Sequence, residues 1–148
     1  MIGGGSLVSE FINNSIINNI DKFKIKEYVI KLIVGKKYYE SNYGIIKKIN
    51  EENIFIQIYP FLDNLVEEMS RASIVISRGG ATTISEIIAL RKPSILIPSP
   101  NVTNNHQYYN VLDLYEKKCC EMIEEKNFDD FMFDVNDIDF ITSNFSGY

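Results

Sequence analysis

Ser73-Ile74-Val75-Ile76-Ser77-Arg78-Gly79-Gly80-Ala81-Thr82-Thr83-Ile84-Ser85-Glu86 runs from a short β-branched stretch through two glycines into a helical pattern. Read as strand, turn and helix, it puts a glycine-rich turn at the carboxyl end of a buried strand, where open α/β sheets bind their ligands. Gly79 and Gly80 permit a sharp change of direction. Thr82 or Thr83 offers a hydroxyl and an N–H to a phosphate. Glu86 follows one turn into the helix, and its carboxylate can accept two hydrogen bonds from a ribose diol. It can equally serve the fold alone, as an acidic group favoured near the positive end of the helix dipole.

Outward from this segment the same alternation repeats. Met1-Ile2 before Gly3-Gly4-Gly5 reads as the end of a strand. Strands are expected at residues 28–34, 54–58, 73–76 and 94–97. Helices are expected at 6–20, 36–49, 62–71, 82–90 and 106–117, the first with Phe11, Ile12, Ile16, Ile17 and Ile20 on one side. Strands alternating with helices predict βαβ units and a parallel sheet. Near-continuous apolar strands predict helices on both faces, a Rossmann-like arrangement. After Lys126 the chain carries no Lys or Arg and mixes Asp with Phe without a clean period. The expected division is a folded domain over residues 1–126 and an acidic, aromatic tail over 127–148, with a short helix near 129–133 as its one candidate element.

The 148 residues suffice for one domain, and 45% hydrophobic residues suffice for a core. A net charge of −5, with no basic stripe, argues against nucleic acid as a partner and against attraction to an anionic membrane. Cys119 and Cys120 are neighbours, a spacing that makes no disulfide framework and no zinc site, and reduced thiols fit a cytoplasmic protein. The start lacks the basic and apolar regions of a signal peptide, and no stretch approaches the length of a membrane span.

Two further motifs occupy strand ends. Gly3-Gly4-Gly5-Ser6 precedes a helix, and a glycine turn before a helix N-terminus suits a diphosphate, although a plain tight turn has the same composition. Pro98-Ser99-Pro100-Asn101-Val102-Thr103-Asn104-Asn105-His106-Gln107 is a polar loop entering a helix. Asn104 or Asn105 can cap that helix. His106 and Gln107 suit sugar hydroxyls, or stand on the surface. Together the three motifs converge on one crevice that fits a nucleoside diphosphate sugar.

The run from Arg71 to Asn110, RASIVISRGGATTISEIIALRKPSILIPSPNVTNNHQYYN, resembles the MurG family of glycosyltransferases (glycosyltransferase family 28). Tyr59-Pro60-Phe61-Leu62-Asp63-Asn64-Leu65 resembles the segment preceding it in that family, and Gly4-Gly5-Ser6 its first glycine motif. The resemblance covers about residues 1–124. It implies the C-terminal half of a two-domain GT-B enzyme, beginning here inside its first strand, that holds UDP-GlcNAc. Such an enzyme transfers N-acetylglucosamine to the lipid-diphosphate-linked muramoyl pentapeptide, turning lipid I into lipid II in peptidoglycan synthesis. The implied donor-binding residues are Gly5, Ser6, Tyr59, Phe61, Arg78, Gly80, Thr83, Glu86, Asn105, His106 and Gln107. Ser6 and Thr83 would meet the phosphates, Glu86 the ribose, His106 and Gln107 the GlcNAc, and the segment around Tyr59 and Phe61 the uracil. No catalytic residue is expected in this chain, and neither a cofactor nor a metal. The expected partners are UDP-GlcNAc and an acceptor domain or separate acceptor subunit. That partner would bring the lipid-linked acceptor and hold the assembly at the inner face of the cell membrane.

The chain departs from the family pattern at Leu7 and Val8, where Gln and Gly are usual, at Leu32-Ile33-Val34-Gly35, where His-Gln-Thr-Gly is frequent, and in the tail. These departures keep two alternatives open: the donor subunit of a split transferase, and a decayed, non-catalytic UDP-sugar-binding protein.

Overall fold

The computed structural model describes residues 2–3, 10–25, 29–100 and 105–129. The order of elements is β1 (Ile2–Gly3), α1 (Glu10–Asn18), α2 (Ile20–Ile25), β2 (Ile30–Ile33), α3 (Lys36–Ser41), α4 (Tyr43–Glu52), β3 (Ile56–Tyr59), α5 (Leu65–Arg71), β4 (Val75–Ser77), α6 (Ala81–Leu90), β5 (Ser94–Leu96), α7 (Asn105–Glu116) and β6 (Glu121–Met122), with a 3₁₀ turn at Glu125–Asn127. The six strands form one sheet in the order β3-β2-β1-β4-β5-β6, every pair parallel. This is the doubly wound order in which the chain starts at the centre, winds to one edge, then returns and winds to the other.

Two apolar clusters fill the faces of the sheet. One gathers Ile12, Ile16 and Phe23 from the first helices, Ile46 from α4, and Leu32, Ile58, Ile76 and Ile95 from the strands. The other gathers Met69, Ile84, Ile87, Val111 and Leu114 from α5, α6 and α7 around Val75 and Leu96. Alternate residues of β4 and β5 thus enter opposite clusters, as the two-residue period of a strand requires.

Where the structure departs from the expected elements, local causes are visible. The helix expected at 6–20 ends at Asn18 and restarts at Ile20; Asn19 sits in the break and donates its amide to the Ser15 carbonyl at 2.7 Å. Residues 6–9 lie outside the described residues. The helix expected at 36–49 is interrupted at Asn42, whose φ of −123° leaves the helical region while its backbone N–H still reaches the Tyr38 carbonyl. Gly44 sits inside α4 with nothing within 4 Å of an added Cβ. The edge strand β3 is closed by a side chain: Asn50 on α4 accepts from the Ile58 N–H at 2.8 Å and donates to the Ile58 carbonyl at 3.0 Å. That covers an otherwise unpaired edge.

The strand β6 was not anticipated. Nor does the fold stop at residue 126: Phe128 is fully buried in the first cluster, which moves the domain boundary past it. The candidate helix at 129–133 falls largely outside the described residues. Burial pushes the Cys120 thiol up to about 12, with Cys119 and Glu121 acting in the same direction, so at neutral pH it is a core group and not a nucleophile.

Candidate functional site

The strand order reverses between β1 and β4, which pair directly with Ile2 beside Ile76. In open α/β sheets such a switch point is where ligands bind, at the carboxyl edge of the strands. β1 delivers Gly3 to this edge and β4 delivers Ser77, and the two strands are neighbours in the sheet. Gly5 and Ser6, like Leu7 and Val8, lie outside the described residues.

The turn from β4 to α6 is held by its neighbours. The buried Ser77 carbonyl accepts from the Ile97 N–H at 2.8 Å, registering β5 and the start of its loop against the turn. Gly80 precedes α6 with φ −68° and ψ 146°, ordinary extended backbone, so it needs no glycine-specific conformation. Gly79 is required for a different reason from the one expected. A Cβ there would stand 2.2 Å from Val111 Cγ2 and 3.3 Å from the Gln107 carbonyl oxygen, so the absent side chain lets α7 close directly onto the turn.

No side chain caps α6. Its first intrahelical bond, Ile84 N–H to the Gly80 carbonyl, leaves the N–H groups before it to face the turn, an arrangement that favours an anion. Thr83 and Glu86 are both half-buried and one turn apart, beside the fully packed Ile84 and Ile87. The two residues therefore share the stripe bordering the core.

At the end of β5 the polar loop enters α7, which begins at Asn105. Asn101 to Asn104 and the Asn105 side chain lie outside the described residues. His106 is exposed. Gln107 is buried, and its Oε1 accepts from the Ser99 N–H at 3.3 Å. As a ligand residue Gln107 therefore has its amide N–H groups to offer, because the carbonyl is engaged.

Tyr59 ends β3, half-buried, with its carbonyl accepting from the Val34 N–H at 2.9 Å. Phe61 follows it, 49% exposed, with the Lys36 ammonium 4.8 Å from the ring centroid. Lys36 was not singled out in the sequence. Its signal is positional: it follows Gly35, whose φ of 87° and ψ of 153° belong to a region that side chains avoid. Three strand spacings, about 14 Å, separate β3 from β4 along the edge. The structure thus does not cluster all the expected residues. Among the described residues it places Tyr59 and Phe61 at the end of β3, Gly80, Thr83 and Glu86 after β4, and His106 and Gln107 beyond β5.

Arg78, which the resemblance implies as a donor-binding residue, stands in the turn after β4. Its guanidinium is buried and donates to the carbonyls of Ile97 at 3.4 Å and Pro98 at 3.2 Å and to Glu125 at 2.5 Å. That set of partners is architectural. Leu32 and Val34, two of the departures from the family pattern, are fully packed core residues. They fill the sheet interior instead of opposing a ligand at its rim.

A doubly wound parallel sheet whose order reverses between β1 and β4 defines an open α/β domain of the kind that takes its ligands at the carboxyl edge. The sequence profile of the glycosyltransferase family 28 C-terminal domain matches residues 1–133, and the chain belongs to that family. Over 128 residues it is 41% identical to the UDP-N-acetylglucosamine–N-acetylmuramyl-(pentapeptide) pyrophosphoryl-undecaprenol N-acetylglucosamine transferase of Bacillus cytotoxicus, an overlap of 86% of this chain and 35% of the relative. With the enzyme of the same name from Oenococcus oeni it shares 40% identity over 130 residues, 86% of this chain and 34% of the relative. The chain spans about a third of the length of these relatives. The crystal structure of Acinetobacter baumannii MurG superposes with a TM-score of 0.62 at 21% identity, covering 85% of this chain and 36% of that one, a likeness of fold.

Proposed function

We propose that this chain is the UDP-GlcNAc-binding part of an inverting transferase that moves N-acetylglucosamine onto a lipid-diphosphate-linked acceptor, the lipid I to lipid II step of peptidoglycan synthesis. The observation that carries the proposal is the pairing of β1 with β4, the two strands that precede the glycine motifs in the sequence. Membership of the family and the names of the relatives supply the substrate class.

In this reading the diphosphate sits between the turn containing Gly5 and Ser6 and the uncapped start of α6 at Gly80 and Thr83. Glu86 accepts the ribose hydroxyls, and the uracil lies along the rim near Tyr59 and Phe61. The sugar meets His106 and the amide of Gln107, with Asn105 opening the helix beneath them. The acceptor 4-hydroxyl oxygen bonds to the anomeric carbon from the face opposite the phosphate. The bond from that carbon to the phosphate oxygen breaks, UDP departs, and a base on the acceptor side takes the hydroxyl proton. Helix N-termini stabilise the departing diphosphate without a metal. The 148 residues contribute donor binding and orientation, and the acceptor and its base come from a partnering domain or subunit. A cytoplasmic location, at the inner membrane face when so partnered, follows from that chemistry; none of the helices among the described residues is long and apolar enough to cross a membrane.

Calorimetry with UDP-GlcNAc and UDP tests the proposal. Binding is expected for the wild type, and Glu86→Ala should lose about 1.5–3 kcal/mol for each charged hydrogen bond removed. No heat at millimolar ligand would overturn donor binding, and equal affinity in the variant would return Glu86 to a purely helical role. The 148-residue polypeptide by itself should transfer no sugar to a lipid I analogue.

A further inference from the structure

Arg78 stands in the turn of the proposed site, yet its side chain serves another part of the molecule. Its guanidinium and the Glu125 carboxylate form an ion pair at 2.5 Å whose side chains are 7% and 17% exposed. The same guanidinium holds the carbonyls of Ile97 and Pro98 where the chain leaves β5. The next residue, Ser99, donates its backbone N–H to Gln107 Oε1. A continuous chain of contacts therefore runs from Glu125, in the 3₁₀ turn after β6, through Arg78 and the Ile97-to-Ser99 backbone to the side chain of Gln107. Gly79 closes the loop from the other side, since its bare Cα lets the first turn of α7 approach at the Gln107 carbonyl.

We propose that Arg78 and Glu125 are positioning residues for the sugar end of the donor site. The inference rests on the UDP-GlcNAc reading above. A buried guanidinium stripped of its carboxylate keeps its charge in a poorly solvated place, so the surrounding backbone must shift or admit water. The shift reaches Ser99 first, because Ile97 and Pro98 accept from the same guanidinium. Gln107 then loses the partner that fixes its amide, and the group meant for the sugar hydroxyls is no longer held. The first hydrogen bond of α6, Ile84 N–H to the Gly80 carbonyl, is local to the helix start and does not pass through Glu125. The nucleotide end of the site should therefore be spared. The pair thus links the segment after β6, which the motifs do not include, to sugar recognition.

The test compares UDP with UDP-GlcNAc on the full chain. Glu125→Gln should lower affinity for UDP-GlcNAc about tenfold and change that for UDP less than twofold, while Glu125→Asp restores most of the loss. In the ligand-free protein, hydrogen exchange at the Ser99 amide should speed up in Glu125→Gln by about tenfold and recover in Glu125→Asp. Equal losses for both ligands would reduce the pair to general stability and overturn the proposal. So would unchanged selectivity together with an unchanged Ser99 amide. An increase in UDP affinity in Glu125→Gln would make Arg78 a direct phosphate ligand, also against it. Should Glu125→Gln not fold, Arg78→Lys with the same two readouts decides, its Ser99 amide exchanging faster if the proposal holds. Failure of the wild type to bind UDP at all would instead sink the donor-site reading.

Discussion

Along β2 and β3 buried and half-buried residues alternate, Ile30, Leu32, Ile56 and Ile58 against Lys31, Ile33, Gln57 and Tyr59, whereas every residue of β4 and β5 is buried. The first pair of strands commits one face to the core and leaves a half-buried mixture of polar and apolar side chains on the other. There Lys31 pairs with Glu68 of α5. The second pair is packed on both faces, Ile76 and Ile95 into one cluster and Val75 and Leu96 into the other. The motifs Ser77 to Glu86 and Pro98 to Gln107 follow the doubly packed strands, while Gly3-Gly4-Gly5-Ser6 follows β1. A strand fixed from both faces holds the turn at its end more rigidly than one fixed from one face, and a site that must grip a diphosphate gains from that.

Leu96→Ala should break this comparison most sharply. The side chain is fully buried in the second cluster, and removing it should cost about 2–5 kcal/mol. Lys31→Ala, on the corresponding face of the other half, should cost no more than about 1 kcal/mol, because its ion pair is partly exposed. Urea denaturation of both variants measures the contrast, and similar losses would show that the two halves are equally packed.

Two glycines sharpen it further. Gly79→Ala forces a methyl group to 2.2 Å from Val111 Cγ2 and should cost about 1–3 kcal/mol, since the overlap lies between well-packed elements. Gly44→Ala on α4 meets nothing within 4 Å and should stabilise by about 0.4–1 kcal/mol through the lower entropy of the unfolded chain. Thermal melts giving the same sign for both would contradict the packing of α7 on the turn.

The strands of both halves were legible in the sequence: β2, β3, β4 and β5 all lie within two residues of their expected places, Val75-Ile76 and Ile95-Leu96 in continuous apolar runs. The expectation of helices on both faces holds, and in β2 and β3 Lys31 and Gln57 mark the alternation of buried and half-buried residues. β6 escaped notice because two residues, Glu121 and Met122, make no period; only parallel pairing with Ile95 and Leu96 defines it. In the site, the positions of Thr83, Glu86 and His106 follow from local helix starts and could be read directly. The role of Arg78 could not, because its partner Glu125 is 47 residues away and becomes adjacent only when β6 completes the sheet. Gly79 was read as a turn residue, when its neighbour in space, Val111, is what forbids a side chain.

Titration separates the two halves a last time, at opposite ends of the pH scale. In the doubly packed half, the buried Cys120 thiol rises from 9.0 to about 12, so the fold prefers it protonated. A raised value gives stability that is complete below the unfolded value and is lost as the pH climbs from about 9 towards 12. Cys120→Ala should flatten that alkaline decline, at some cost in packing that is independent of pH. In the other half, Glu68 is held below 4.5, first by the hydrogen bond from Lys31, against an opposing effect of desolvation, and then by the charges of Lys31 and Arg71. A lowered value has the reverse sign: its contribution is present above about 4.5 and disappears as the pH falls through the folded value. Melting temperatures of the wild type and Lys31→Met should therefore differ most near neutrality and converge in acid. The difference should be small even at its largest, since the lysine is partly exposed and salt screens the pair. A gap that stayed constant from pH 7 to pH 3 would mean that Lys31 acts through its aliphatic stem, and the second face of β2 would then be packed like that of β5 after all.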